Sequence, residues 1–310
     1  MRAARVHRFG APEVIVIDEL PRPQPGPGEV LVRVAVAGVG PWDEWIREGK
    51  SVVKPSLPLT LGADLSGIIE ATGSGVTTLL EGDKVYGVTN PEFTGSCAEF
   101  ALAKASMIAR KPLSLSFSDA ASAPVVAVTA WQMLFDYAEA ISGRTVLIHG
   151  AAGNVGAYAV QFAAQAGLHV VATASASDAP YLQSLGAGKI IDYRTSRFEE
   201  LLANVDIVLD TVGGETAKRS LQVIKPGGIL VSVVPLPEFA SVDLQGVRTV
   251  FFLVQVTAER LNRLTYMFDA GKLIPRVGTV LPLAQVRAAH EMLAGAPHEH
   301  GKIVLDVGEL

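Results

Sequence analysis

The run Val146-Leu147-Ile148-His149-Gly150-Ala151-Ala152-Gly153-Asn154-Val155-Gly156 constrains this chain more than any other stretch. Val146, Leu147 and Ile148 fit a buried parallel strand, and the strand breaks into a loop carrying three glycines. Beyond the loop, Ala159, Val160, Ala163 and Ala164 recur at helical spacing up to Gly167. Strand, glycine turn and helix in that order present backbone N–H groups and a helix N-terminus to a pyrophosphate. Gly150 lets the chain turn, Gly153 lets the backbone approach the phosphates, and Gly156 lets the helix pack close to the strand. The spacing is G-x-x-G-x-x-G rather than the commoner G-x-G-x-x-G, so an ordinary tight turn would use the same residues. A second strand at the right offset favours dinucleotide binding over that plain turn.

Such a unit needs alternating strands and helices around it, and the sequence from Ser118 onward supplies them. Helical stretches at Asp119–Ala123 and Val125–Tyr137 precede the strand. Then come a helix over 155–166, strand His169–Thr173, helix 178–185 and strand Lys189–Ile191. Strand Val205–Asp210, a helix near Glu215–Val223, strand Ile229–Val234, the apolar segment Val250–Val256 and a helix over 258–269 follow. This is the pattern of a doubly wound parallel sheet. The N-terminal third reads differently, as strand-rich and helix-poor. Val14–Ile17 and Glu29–Val36 are strands separated by the Pro/Gly run 21–28, which reads as a rigid surface turn. The segment Gly38–Gly49 is a loop and short helix with Trp42 and Trp45, placed equally well in a core or on a substrate wall. Lys302–Val307 is a final strand. The expected division is 1–122, 123–268 and 269–310, the outer two forming one domain.

At 310 residues there is chain enough for two cores, and 49% hydrophobic with 18% charged residues fits a compact enzyme. A net charge of −5 disfavours binding to nucleic acid or to a membrane surface. No apolar run approaches the length of a membrane span and the N-terminus lacks a signal-peptide core, so a cytoplasmic location is expected. One cysteine, Cys97, excludes an intrachain disulfide and a cysteine-rich zinc site.

In NAD sites an acidic residue about 20 positions past the glycines holds the adenosine ribose. Here the second strand ends in Ala174, followed by Ser175, Ala176 and Ser177. Hydroxyls donate to a 2′-phosphate that a carboxylate would repel, which favours NADP(H), with Tyr193 and Arg194 supplying further contacts. The alternative is that the serines or Asp178 cap the next helix. Val212 and Gly213, and Val233 and Val234, sit at later strand ends where small residues admit a nicotinamide ribose.

With these segments in view, the chain resembles the zinc-free medium-chain dehydrogenase/reductases, in particular the ζ-crystallin-like quinone oxidoreductases. The resemblance rests on Gly62-Ala63-Asp64-Leu65-Ser66-Gly67, Gly82-Asp83-Lys84-Val85-Tyr86-Gly87, Gly95-Ser96-Cys97-Ala98-Glu99-Phe100 and Thr129-Ala130-Trp131. The glycine loop, Leu185-Gly186-Ala187, Ile191-Asp192-Tyr193 and Gly301-Lys302-Ile303-Val304-Leu305 complete it. It implies an α/β chain with a Rossmann domain inserted into a β-rich GroES-like catalytic domain. It implies an NADPH-dependent reductase of quinones or activated C=C bonds, working as a homodimer joined through Thr249–Val254. The resemblance puts Thr129, Tyr193, Val212, Val233 and Phe252–Val254 on the cofactor; with the loop and strand-end residues read above, the full expected set adds Gly40, Pro41, Gly150, Ala151, Ala152, Gly153, Asn154, Val155, Ser175, Ser177, Gly213 and Val234. The zinc branch carries Cys where Gly40 stands and Gly-His-Glu where this chain has Gly62-Ala63-Asp64, so no zinc mechanism is expected. Departures from the quinone reductases are Gly40 in place of Asn, Trp45 in place of Tyr, and the lack of a Tyr near Ser51. Trp42 and Trp45 are then candidates to stack on a flat acceptor, and Asp43 and Asp64 to orient a proton path or to bond loop amides. The alternatives are an alkenal or enone reductase of the same family, and an NADPH-binding crystallin-like or sensor protein with little turnover.

Overall fold

Val146, Leu147 and Ile148 are wholly buried in strand Thr145–His149, the innermost strand of a six-stranded parallel sheet. The computed structural model describes residues 1–236 and 246–308, and the chain forms two units. One is Val126–Gln255 and the other joins Met1–Val125 to Val256–Leu310.

In the Val126–Gln255 unit the sheet order is Lys189–Asp192, His169–Ala174, Thr145–His149, Val205–Asp210, Ile224–Ser232, Arg248–Phe251. All five pairings are parallel. The chain winds outward from Thr145–His149 in one direction and then starts again beside it with Val205–Asp210. The point where winding reverses therefore lies between the carboxyl ends of these two strands, where open α/β sheets bind ligands. Helix Asn154–Gln165 buries Ala157, Ala159, Val160, Phe162 and Ala163; its small residues allow close packing on the sheet. This is a Rossmann-type sheet, in the α/β class expected from the alternating pattern.

In the other unit, a long strand Glu29–Val39 anchors a seven-stranded sheet. It pairs antiparallel with Asp64–Thr72, Phe100–Lys104 and Lys302–Asp306. The last pairing, Ile303 opposite Val39 and Leu305 opposite Ala37, brings both ends of the chain into one sheet. Val30, Val32, Leu65, Ile69, Val85, Ile108, Ile303 and Leu305 belong to its core. Each such fully buried aliphatic side chain contributes roughly 1.5–3 kcal/mol. A three-stranded sheet of Ile15–Glu19, Arg2–Val6 and Leu59–Thr60 completes the strands. The Pro/Gly run thus joins two different sheets rather than closing a hairpin. It is pinned by bonds from Gly28 N–H to Ser74 O and from Gly26 N–H to the Glu29 carboxylate.

The helix expected to close the nucleotide domain, Ala258–Asp269, lies in the Met1–Val125 unit instead. Tyr86 Oη donates to Leu261 O at 2.7 Å, Thr265 Oγ1 donates to Arg110 O, and Asp269 accepts from Ser114 N–H. Its periodicity marks a buried face, Leu261, Leu264 and Phe268, without saying which core covers it.

Candidate functional site

The glycine loop leaves the sheet at the point of reversal. Gly150 has φ +65°, in the left-handed region, and a Cβ there would collide with Thr211 Oγ1. Thr211 donates that hydroxyl to His149 O at 2.9 Å, so the two strand ends are tied together. A Cβ on Gly156 would strike Gly150 O and come within 2.7 Å of Ala151 Cα. Gly156 therefore serves the close packing of loop on helix. Gly153 differs. Its Cβ would meet only Gly150 O, at 3.2 Å. It forms the cap of helix Asn154–Gln165 with no side chain bonded to the first-turn amides. Those amides, with the positive end of the helix dipole, suit an anion. Ala151 is buried, Gly153 is exposed, and Ala152, Asn154 and Val155 are half-buried.

At the carboxyl end of His169–Ala174, Ser175 Oγ donates to Asp178 Oδ2 at 2.6 Å and lies 2.8 Å from Ser177 Oγ. The serines and Asp178 thus bond one another, and none of these side chains caps the following helical turns. Tyr193 N–H donates to Ala174 O, which brings its largely exposed ring beside the serines, with the Arg194 guanidinium 5.8 Å from the ring centre.

The next strand ends are organised by Asp210, a wholly buried carboxylate. Its Oδ1 accepts from Val212 N–H and Gly213 N–H at 3.0 Å, and its Oδ2 from Ser232 Oγ at 2.8 Å. Ser232 Oγ in turn accepts from Val234 N–H. One carboxylate so fixes both loops, 211–213 and 232–234, leaving Val212 half exposed. Phe252 is buried against Tyr137 with ring centres 4.4 Å apart, and Gln132 Oε1 accepts from Gln255 N–H, which sets the segment holding Val254. Thr129 is buried on helix Pro124–Trp131. Sequence reasoning missed two side chains here. The carboxylate of Asp210 carries this edge, and His149 bonds Thr173 and Ser220 and is pushed down to about 4, chiefly by burial.

In the Met1–Val125 unit, the short helix Pro41–Arg47 starts at Gly40. Asp43, buried, accepts from Gly40 N–H at 2.8 Å through Oδ2, while its Oδ1 has no partner. Burial raises its carboxyl to about 7 against the lowering effects of the Gly40 amide and the Lys302 ammonium. Asp64 is also wholly buried; Oδ1 accepts from Val125 N–H at 2.9 Å and Oδ2 from Lys302 Nζ at 3.0 Å. The Lys302 ammonium lies 4.1 Å from the centre of the Trp42 ring. A Cβ on Gly40 would collide with that indole, so the glycine there is the space the ring fills. Trp45 stands apart, nearly half exposed. Sequence reasoning passed over Lys302, which read only as part of a closing strand.

Residues 26–135 match the alcohol dehydrogenase GroES-like domain, and residues 185–305 match the domain described as zinc-binding dehydrogenase. The chain is 31% identical to mouse quinone oxidoreductase over 325 residues, covering 98% of this chain and 97% of that one. Its fold is similar to the quinone oxidoreductase of Coxiella burnetii, with TM-score 0.91, 33% identity and 99% of each chain covered. It is also similar to Escherichia coli quinone oxidoreductase complexed with NADPH, with TM-score 0.87, 26% identity, and 98% and 100% covered. The glycine cradle, with Gly153 exposed and Gly156 packed tightly on the loop backbone, fits a dinucleotide. The zinc of the second description does not fit. Among the described residues no three His, Cys, Asp or Glu side chains form a metal-holding group, and an ammonium already sits on Asp64. By its full-length identity to these enzymes, and by the sheet order and cradle above, the chain belongs to the ζ-crystallin-like quinone oxidoreductases of the medium-chain dehydrogenase/reductase family.

Proposed function

We propose that the protein is an NADPH-dependent oxidoreductase that reduces a quinone or another conjugated carbonyl compound without a bound metal. The observation that carries this reading is the cradle at the point of sheet reversal. First-turn amides stand uncapped, and a Cβ on the glycine before them would meet one backbone oxygen, Gly150 O at 3.2 Å.

Gly150, Ala151, Ala152, Gly153, Asn154 and Val155 would hold the pyrophosphate. Ser175, Ser177 and Tyr193 would meet the adenosine end, with Arg194 supplying positive charge for a 2′-phosphate. Thr129, Val212, Gly213, Val233, Val234, Phe252 and Val254 would line the nicotinamide end. When bound, NADPH supplies the hydride. The protein binds, orients and excludes water. Asp43, whose carboxyl burial raises to about 7, would orient a proton path for the reduced acceptor. Trp42 and Trp45 offer flat faces to a flat acceptor.

Purified protein should oxidise NADPH with a simple 1,4-quinone and no added metal, and NADH more slowly. A parallel panel of enals and enones separates quinone reduction from ene reduction. Saturable NADPH binding without turnover on any acceptor would replace the enzyme with a binding protein. The same reading carries a homodimer and a cytoplasmic location, tested by sedimentation and by cell fractionation.

A further inference from the structure

We infer that the Lys302 ammonium is the resident cation of the Met1–Val125 unit, held in a pocket of Asp43, Asp64 and Trp42 in place of a metal ion. This goes beyond the proposed reaction and does not depend on it.

Lysine is almost never wholly buried unless paired. Lys302 is 1% exposed, and its only carboxylate bond is to Asp64. An ammonium has three protons to place. One goes to Asp64 Oδ2, and the Trp42 ring face supplies a second attraction of cation–π type. Asp43 adds a further buried carboxyl that interacts with both Lys302 and Asp64. Two buried carboxyls without a cation would be strongly unfavourable; the ammonium bonds Asp64 directly and its charge also favours the ionised form of Asp43.

The surrounding backbone is shaped to the cluster. A Cβ on Gly38 would come within 2.8 Å of Asp64 Cβ, and one on Gly40 would displace the Trp42 indole. Two glycines thus make room for the two groups that contact the ammonium. A divalent ion entering this pocket would meet the positive charge of Lys302 and an Asp64 carboxylate with both oxygens already bonded. Cys97, the remaining soft donor nearby, is buried, and its thiol is pushed up by that burial and by Asp43.

The test is chemical rescue. Lys302→Ala removes the ammonium and most of its stem, and at pH 8 its thermal midpoint should fall by on the order of 10 °C. Ethylammonium chloride should restore at least half of that loss, while sodium chloride at equal ionic strength should not. Wild-type protein dialysed against Zn²⁺ and then metal-free buffer should retain no stoichiometric zinc. Lys302→Met keeps the volume without the charge. Its midpoint should fall further than that of the wild type as pH rises above the ordinary carboxylate range, because without the ammonium the folded chain keeps protons on Asp43 and Asp64 that the unfolded chain has released. The inference is overturned by stoichiometric zinc that raises the wild-type midpoint, or by Lys302→Ala with no specific ethylammonium rescue. If Lys302→Ala does not fold even with ethylammonium, a Lys302→Met midpoint with no steeper pH dependence than the wild type overturns it equally.

Discussion

Asp43 is a carboxyl that the fold forces toward neutrality. Its folded value is about 7 against an ordinary 3.8, so between those pH values the folded chain holds a proton that the unfolded chain has released. Its contribution to stability is complete below about pH 4, declines as pH rises toward 7 and is flat above; the full change is roughly 4 kcal/mol. Asp43→Asn should remove that decline, so the stability of the variant relative to wild type should rise between pH 4 and 7 in urea titrations. A difference that stays constant with pH would reject the assignment. Cys97 makes the complementary case. Its thiol is raised by burial and by the neighbouring carboxyls, so a disulfide reagent should leave it unmodified in the native protein and modify it on unfolding. Prompt native labelling would contradict this. The neutral carboxyl of Asp43 was not legible in the sequence. Asp43 and Asp64 stood out there as carboxylates in Gly-rich motifs, but Lys302 lies 238 positions from Asp64 and read only as part of a closing strand.

The glycine loop was legible because close approach and positive φ leave their mark on residue type. What the spacing could not show is that its glycines do different work. Gly156 faces its own loop backbone, so Gly156→Ala should destabilise the fold itself, by about 1–3 kcal/mol in denaturant titration. A Cβ on Gly153 would come to 3.2 Å from Gly150 O and to nothing else, so Gly153→Leu should cost less stability than Gly156→Ala and weaken NADPH binding at least tenfold by fluorescence titration. Equal effects of the two variants on stability would mean that the cradle is not where the open side of the loop lies. The serines after the second strand show the opposite limit. Ser175 and Ser177 were read from the lack of a carboxylate at the strand end, yet the Asp178 carboxylate accepts from Ser175, whose hydroxyl lies 2.8 Å from that of Ser177. Hydroxyl direction is set by such neighbours, and residue type alone does not carry it.

At the scale of the whole molecule, alternation of strands and helices was enough to expect the sheet, because a parallel strand needs a helix to return the chain. The last helix was assigned to the wrong neighbour, since an apolar stripe records burial and not its partner. The outermost strand, Arg248–Phe251, poses the remaining question at this scale. It pairs on one side only, with Ile224–Ser232, and among the described residues no strand covers its other side. Phe251 is 40% and Leu253 54% exposed at its end. An edge with open backbone groups and apolar side chains invites a second strand. A second copy of this chain offers the same edge, and the two related by a twofold axis would pair as one continuous sheet. Sedimentation velocity should therefore give twice the 32.6 kDa chain mass. Leu253→Asp with Phe251→Lys should shift the species to the single chain at micromolar concentration, because charge on an edge strand opposes such pairing. Tyr137 and Phe252, which pack inside the unit, should keep the variant folded, so its circular dichroism should match the wild type. A wild-type protein that sediments as a single chain, or a variant that stays dimeric, would move the interface away from this strand.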